Sequence, residues 1–172
     1  MIEVIPSVQT PRLTLRALRD DDLDAYAAIC ADAEVMRYIG TGETVDRAMA
    51  WRQMAAFNGH WTLEGNGMWA AARRDNGALA GRIGLYGPPH WPGLELGWVL
   101  GREHWGQGLA QEGAAAARRW AFEVFGCQRL ISLITPGNER SVRVALALGA
   151  QFEGECDLLG KPARCYAHPR AA

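Results

Sequence analysis

The chain has 172 residues, 49% of them hydrophobic and 22% charged, with a formal net charge of -1. That length encloses one sizeable core, so a single domain over residues 1–172 is expected, and the composition leaves no room for a large disordered tail. The near-neutral balance speaks against nucleic-acid binding, which depends on many Lys and Arg neutralising phosphates.

Arg12 to Leu18 alternates polar and apolar positions and predicts a first strand with one buried face. The acids Asp20, Asp21 and Asp22 suit the positive end of a helix dipole, and Leu23, Tyr26, Ala27, Cys30 and Ala31 then recur at helical spacing. After the break at Gly40 to Glu43, Thr44 is the expected cap of a second helix with Ala48, Trp51, Met54 and Ala55 inward, ending near Gly59. Met68 to Arg73 and Ala80 to Tyr86 flank the turn signal Asp75-Asn76-Gly77 and predict an antiparallel hairpin. The Pro-rich run from Gly87 to Gly93 is a loop, and Leu94 to Leu100 is a fourth strand.

Gly108 to Phe125 predicts a long helix with Leu109, Gly113, Ala117, Trp120, Ala121 and Val124 on its buried face and Gly126 as its stop. The apolar run Arg129 to Thr135 is a central fifth strand, Asn138 to Leu148 a helix ended by Gly149, and the segments near 151–156 and 163–168 a terminal hairpin. The sum is an α+β fold: one mixed, mostly antiparallel sheet of about seven strands with four helices. Cys30, Cys127, Cys156 and Cys165 form no CxxC pair, so free thiols and no metal site are expected. An N-terminus without a basic run, and no apolar stretch near the ~18 residues of a span, predict a cytoplasmic protein with no membrane contact.

The chemistry concentrates at Gly106-Gln107-Gly108, between a strand and the start of the long helix, where backbone N–H groups and the helix dipole can hold a diphosphate. Gln111 stands where GxGxxG needs glycine and no Gly-Lys-Ser/Thr occurs, which removes the Rossmann and P-loop readings. The window Trp105-Gly106-Gln107-Gly108-Leu109-Ala110 resembles the acetyl-CoA turn Gln/Arg-x-x-Gly-x-Gly/Ala of the GNAT N-acetyltransferases, with Trp105 departing from the opening Gln/Arg. Thr10 to Arg16, Glu112, and Asn138-Glu139-Arg140-Ser141 with Gly149 are similar to the ribosomal-protein alanine N-acetyltransferase branch, so the resemblance runs from about residue 10 to 157.

The resemblance implies acetyl-CoA as co-substrate, without a metal, and a primary-amine acceptor, either a protein N-terminus or a small molecule. It implies that the fourth and fifth strands splay, so that backbone at Trp98, Val99 and Leu100 meets the pantetheine arm, while the turn from Trp105 through Gly106, Gln107, Gly108, Leu109 and Ala110 takes the pyrophosphate. Asn138 is implied on the pantetheine side and reads equally as a helix cap. Glu95 sits where several members place a base, with a solvated strand carboxylate as the plain reading. Ser141 is the implied thiolate partner, with a backbone-bonded helix-start serine as its alternative. Many members carry a Tyr seven residues after the Asn, and Ala145 stands there instead.

His90 and His104 are surface histidines on this reading, and Trp91 is the tryptophan expected to meet substrate. An acyl-CoA-binding module without turnover and an aminoglycoside-type acetyltransferase stand as alternatives. Both monomer and homodimer remain open, since the terminal hairpin offers an edge strand.

Overall fold

A computed structural model describes residues 4–170. Eight strands form one sheet in the order β1-β2-β3-β4-β5-β6-β8-β7. They are β1 (Val8–Gln9), β2 (Leu13–Arg16), β3 (Met68–Arg73), β4 (Leu79–Tyr86), β5 (Glu95–Leu100), β6 (Ile131–Ile134), β7 (Gln151–Leu158) and β8 (Lys161–Ala167). Every pairing is antiparallel except β5 with β6. Five helices accompany it: α1 (Leu23–Ala31), the single turn α2 (Ala33–Met36), α3 (Arg47–Glu64), α4 (Leu109–Trp120) and α5 (Glu139–Ala147). The expected seven strands and four helices are thus exceeded by β1 and α2, both too short to show a period.

Strand alternation sends Leu13, Leu15, Ile83, Leu85, Leu96 and Leu100 to one face, where they pack against Leu109, Ala114 and Ala117 of α4. The small residues let helix and sheet approach closely: a Cβ on Gly113 would lie 2.4 Å from Ile83 Cδ1. The opposite face carries Met68 and Ala70 against Tyr26 and Cys30 of α1 and Met54 and Phe57 of α3.

Helix α3 departs from the sequence reading in start, end and phase. Its cap is Asp46, whose side chain accepts from the Met49 N–H, and not Thr44. It passes Gly59 and stops at Gly65, whose φ of 69° supplies the left-handed turn. Ala50, Met54, Phe57 and Trp61 face inward, while Ala48, Trp51 and Ala55 are exposed. The later turns, with Phe57 and Trp61, carry more apolar surface and set the rotation.

The long helix ends as a π turn over Ala121–Phe125 before Gly126. The extra residue per turn shifts the phase and turns Val124 outward, 69% exposed, against the expected inward face. Asp22 stands at the N-cap of α1 as the acidic run suggested, but its side chain makes no cap bond there; it holds Arg16 through two hydrogen bonds of 2.7 and 2.8 Å.

Candidate active site

Strands β5 and β6 pair in register only at Glu95 and Ile131, and from there they part. Ser132 clasps the vertex, donating its hydroxyl to the Leu96 carbonyl at 2.6 Å. Beyond it, β6 leaves the edge of β5 from Gly97 to Leu100 without a strand neighbour. The gap opens into a cleft of about 670 Å³ whose walls include Trp98, Leu100, Tyr38, Trp105, Asn138 and Ser141.

Helix α4 aims its N-terminus into this cleft. Its cap is Gly108, with a φ of 76° and no side chain, so the N–H groups of Leu109, Ala110 and Gln111 receive no side-chain cap; the first helical bond is from Glu112 N–H to the Gly108 carbonyl at 3.0 Å. Free N–H groups at a helix start are a site for an anion. Gly106, with a φ of 71°, lets the chain turn back toward the helix.

The turn is braced from outside. Arg12 of the approach to β2 donates through Nη1 to the Gln107 carbonyl and through Nε to Glu112 Oε2, both at 2.7 Å. Thr10 Oγ1 and the Arg12 N–H donate to Glu112 Oε1 at 2.6 and 2.7 Å. Burial pushes the Glu112 carboxyl up, but these donors outweigh it and hold it below the usual carboxylate range. In the sequence Arg12 opens the first predicted strand and Glu112 follows the glycine turn; no local pattern couples residues a hundred positions apart.

Across the cleft, Asn138 caps α5 by accepting the Ser141 N–H at 3.3 Å. The Ser141 side chain lines the cleft, and its hydroxyl has no hydrogen-bond partner among the described residues. Arg140 lies 3.5 Å over the Trp105 ring, and the Trp105 indole donates to the Leu100 carbonyl at 2.9 Å. Arg37 and Arg143 also line the cleft, giving it cations suited to phosphates. Nothing in the sequence set α2 opposite α5.

Glu95 does not line that cleft. It stands at the vertex on the face toward α1 and α3, opposite to Leu96, as strand alternation requires. Burial pushes its carboxyl up to about 7, against the opposing hydrogen bond from Trp91, the charge of Arg82 and the Leu133 N–H. Trp91 is thereby a partner of Glu95, its Nε1 donating to Oε2 at 2.8 Å, and it stacks edge-on against Tyr86. His90 is exposed in its loop, whereas His104 belongs to the cleft wall. Ala145 is fully buried beside Ile134, Ala150 and Tyr166, so this position has no space for a tyrosine ring.

Fold and cleft together define an acyltransferase of the acetyl-CoA-using kind. A family model described as acetyltransferase (GNAT) domain matches residues 12–151, and the chain belongs to that family. It is 30% identical to the uncharacterized N-acetyltransferase YoaA of Bacillus subtilis over 88% of this chain and 86% of that protein. The structure of an acetyltransferase from Agrobacterium tumefaciens superimposes with a TM-score of 0.87 at 30% identity, covering 99% of this chain and 98% of that one. The fold is shared with RimL, a ribosomal L7/L12 alpha-N-protein acetyltransferase solved in complex with coenzyme A, at a TM-score of 0.78, 17% identity and 98% of both chains. No group of His, Cys, Asp or Glu fit to hold a metal occurs among the described residues, and no helix there is long and apolar enough to cross a membrane.

Proposed function

We propose that this acetyltransferase moves the acetyl group of acetyl-CoA to a primary amine by direct attack of the amine on the thioester. The observation that carries the reading is the uncapped start of α4 opening onto the parted strands β5 and β6, with a carboxyl poised near neutrality at their vertex.

The residues fit the co-substrate. Backbone N–H groups from Gln107 to Ala110 receive the pyrophosphate, and the open edge at Trp98, Val99 and Leu100 pairs with the pantetheine arm as a strand would. Asn138 holds the first turn of α5 in place for Ser141, and Trp105 with Arg140 walls the phosphate end. When bound, acetyl-CoA supplies an activated acyl group on a thiol leaving group.

Glu95, charged above about pH 7, takes the proton of the incoming ammonium directly or through water. Ser141, whose hydroxyl is uncommitted, donates to the departing thiolate, the role that Ala145 leaves vacant. The protein works in the cytoplasm on this reading.

Titration with acetyl-CoA followed by a panel of amines, with free thiol and acetylated amine both quantified, tests the proposal. The expected result is one thiol released per amine acetylated. Binding of acetyl-CoA without thiol release on any amine would defeat amine transfer, and absence of binding would defeat the placement of the pyrophosphate.

A further inference from the structure

On the α1 and α3 face, the register Arg82 with Val99, Gly84 with Gly97 and Tyr86 with Glu95 puts Arg82, the two glycines and Glu95 along one strip of sheet. Between Arg82 and Glu95 the strip carries no side chain of its own and is covered from the β3 side: the Met68 methyl would lie 3.0 Å from a Cβ on Gly97, and the Gly67 carbonyl 2.4 Å from one on Gly84. Arg82 is partly buried and held firmly. Its Nε donates to the Tyr26 hydroxyl at 3.2 Å, its Nη1 lies 3.7 Å from Met68 Sδ, and its guanidinium sits 4.8 Å over the Phe57 ring.

None of these partners is an anion. Arg16 occupies the same cross-strand row, through Ala70, and has Asp22 as its counter-ion. Arg82 has no carboxylate within ion-pair distance among the described residues. Tyr26 does not supply the charge, because burial pushes its phenol up to about 12 and its proton is given to Gln53 Oε1 at 2.9 Å. The Cys30 thiol is likewise pushed up by burial. Glu95 feels the charge of Arg82 only from beyond ion-pair distance. A fixed, partly buried guanidinium with no ion-paired carboxylate is costly unless a ligand completes it, and its planar fork suits a carboxylate.

We infer that the acceptor is a small amine that also carries a carboxylate, an amino acid, and that Arg82 receives this carboxylate while Glu95 faces the amine. The inference rests on the acetyl-transfer reading for the amine's fate, but not for its binding. It also argues against a polycationic acceptor, which Arg82 would repel.

The test is calorimetric titration of the standard L-amino acids and their carboxamides into the protein saturated with CoA, repeated for Arg82→Met and Arg82→Lys. At least one amino acid should bind the wild type roughly 10- to 100-fold tighter than its carboxamide, the range of a charged hydrogen-bonded contact. Arg82→Met should abolish that preference while leaving carboxamide affinity within about twofold, and Arg82→Lys should restore part of it. Equal binding of acid and carboxamide by the wild type, no binding of any acid, or a preference that persists in Arg82→Met would overturn the inference. An Arg82-dependent preference without thiol release from acetyl-CoA would uphold it and defeat acetyl transfer.

Discussion

The Trp91 indole donates to Glu95 Oε2 at 2.8 Å, so a loop residue and the first residue of β5 share one hydrogen bond at the point where the sheet opens. Burial disfavours the Glu95 carboxylate, and this donor restrains the rise to about 7.

Activity should therefore climb with pH through about 7, because the protonated carboxyl below that value cannot accept a proton. Glu95→Gln should lower kcat by roughly 10²- to 10⁴-fold with little change in acetyl-CoA affinity, the span of positioned general bases. Trp91→Phe removes a donor to the charged form, so the midpoint of the profile should move to higher pH. A pH–rate series on the three proteins decides this, and a profile unchanged by either substitution clears Glu95 of the role.

The pyrophosphate turn should fail from outside as well as from within. Arg12→Ala leaves the Gln107 carbonyl without its donor and Glu112 Oε2 without its guanidinium partner, and acetyl-CoA affinity should fall about tenfold from loss of a charged contact that positions the turn. Gly108→Val places a β-branched residue at a φ of 76° and should cost affinity more heavily. Calorimetry with acetyl-CoA measures both, with circular dichroism as the control for folding. Unchanged affinity in Gly108→Val would remove the turn from the cofactor site.

Ser141→Ala deletes a hydroxyl that has no hydrogen-bond partner in the described residues, so stability should stay within about 0.5 kcal/mol. If the hydroxyl protonates the leaving thiolate, kcat should drop about tenfold or more while acetyl-CoA affinity holds, read by single-turnover thiol release. Asn138→Ala should behave differently, costing about 1 kcal/mol as a lost cap. Ala145→Tyr should not rescue Ser141→Ala, because position 145 is filled by core packing against Tyr166.

The hairpin of β3 and β4, the strand β5, the start of α4 and the cap of α5 were all legible because each has a local signal: Asn76-Gly77, strand alternation, Gly108, Asn138. The phase of α3 was not. Its inward face is decided by Phe57 and Trp61, four residues apart, against a lesser apolar row at Ala48, Trp51 and Ala55. The site divides in the same way. The turn could be named as a candidate from its glycines and Glu95 from the family resemblance, whereas the brace of Arg12 on Gln107 and the place of Arg82 depend on strand register, which no local pattern encodes.

His168 and Glu95 should give stability opposite dependences on pH. His168 is buried, and its Nε2 lies 2.8 Å from Ser132 Oγ. Since that hydroxyl gives its proton to Leu96, Nε2 is the donor and Nδ1 is left unprotonated and without a partner. Burial, with the charge of Arg118, lowers its pKa from 6.5 to about 4. A depressed pKa stabilises the fold above 6.5, and this contribution is lost as pH falls toward 4, about 3 kcal/mol in all. Glu95 is raised from 4.5 to about 7, so the fold is favoured below 4.5 and loses a similar ~3 kcal/mol as pH rises through 7. Between about pH 5 and 6.5 the two slopes oppose each other, and denaturant unfolding of the wild type should be nearly flat there. Glu95→Gln leaves the His168 slope alone, so its stability should rise with pH across that window. His168→Gln should show the reverse, and parallel curves for the two variants would mean that one of these groups is not buried as described.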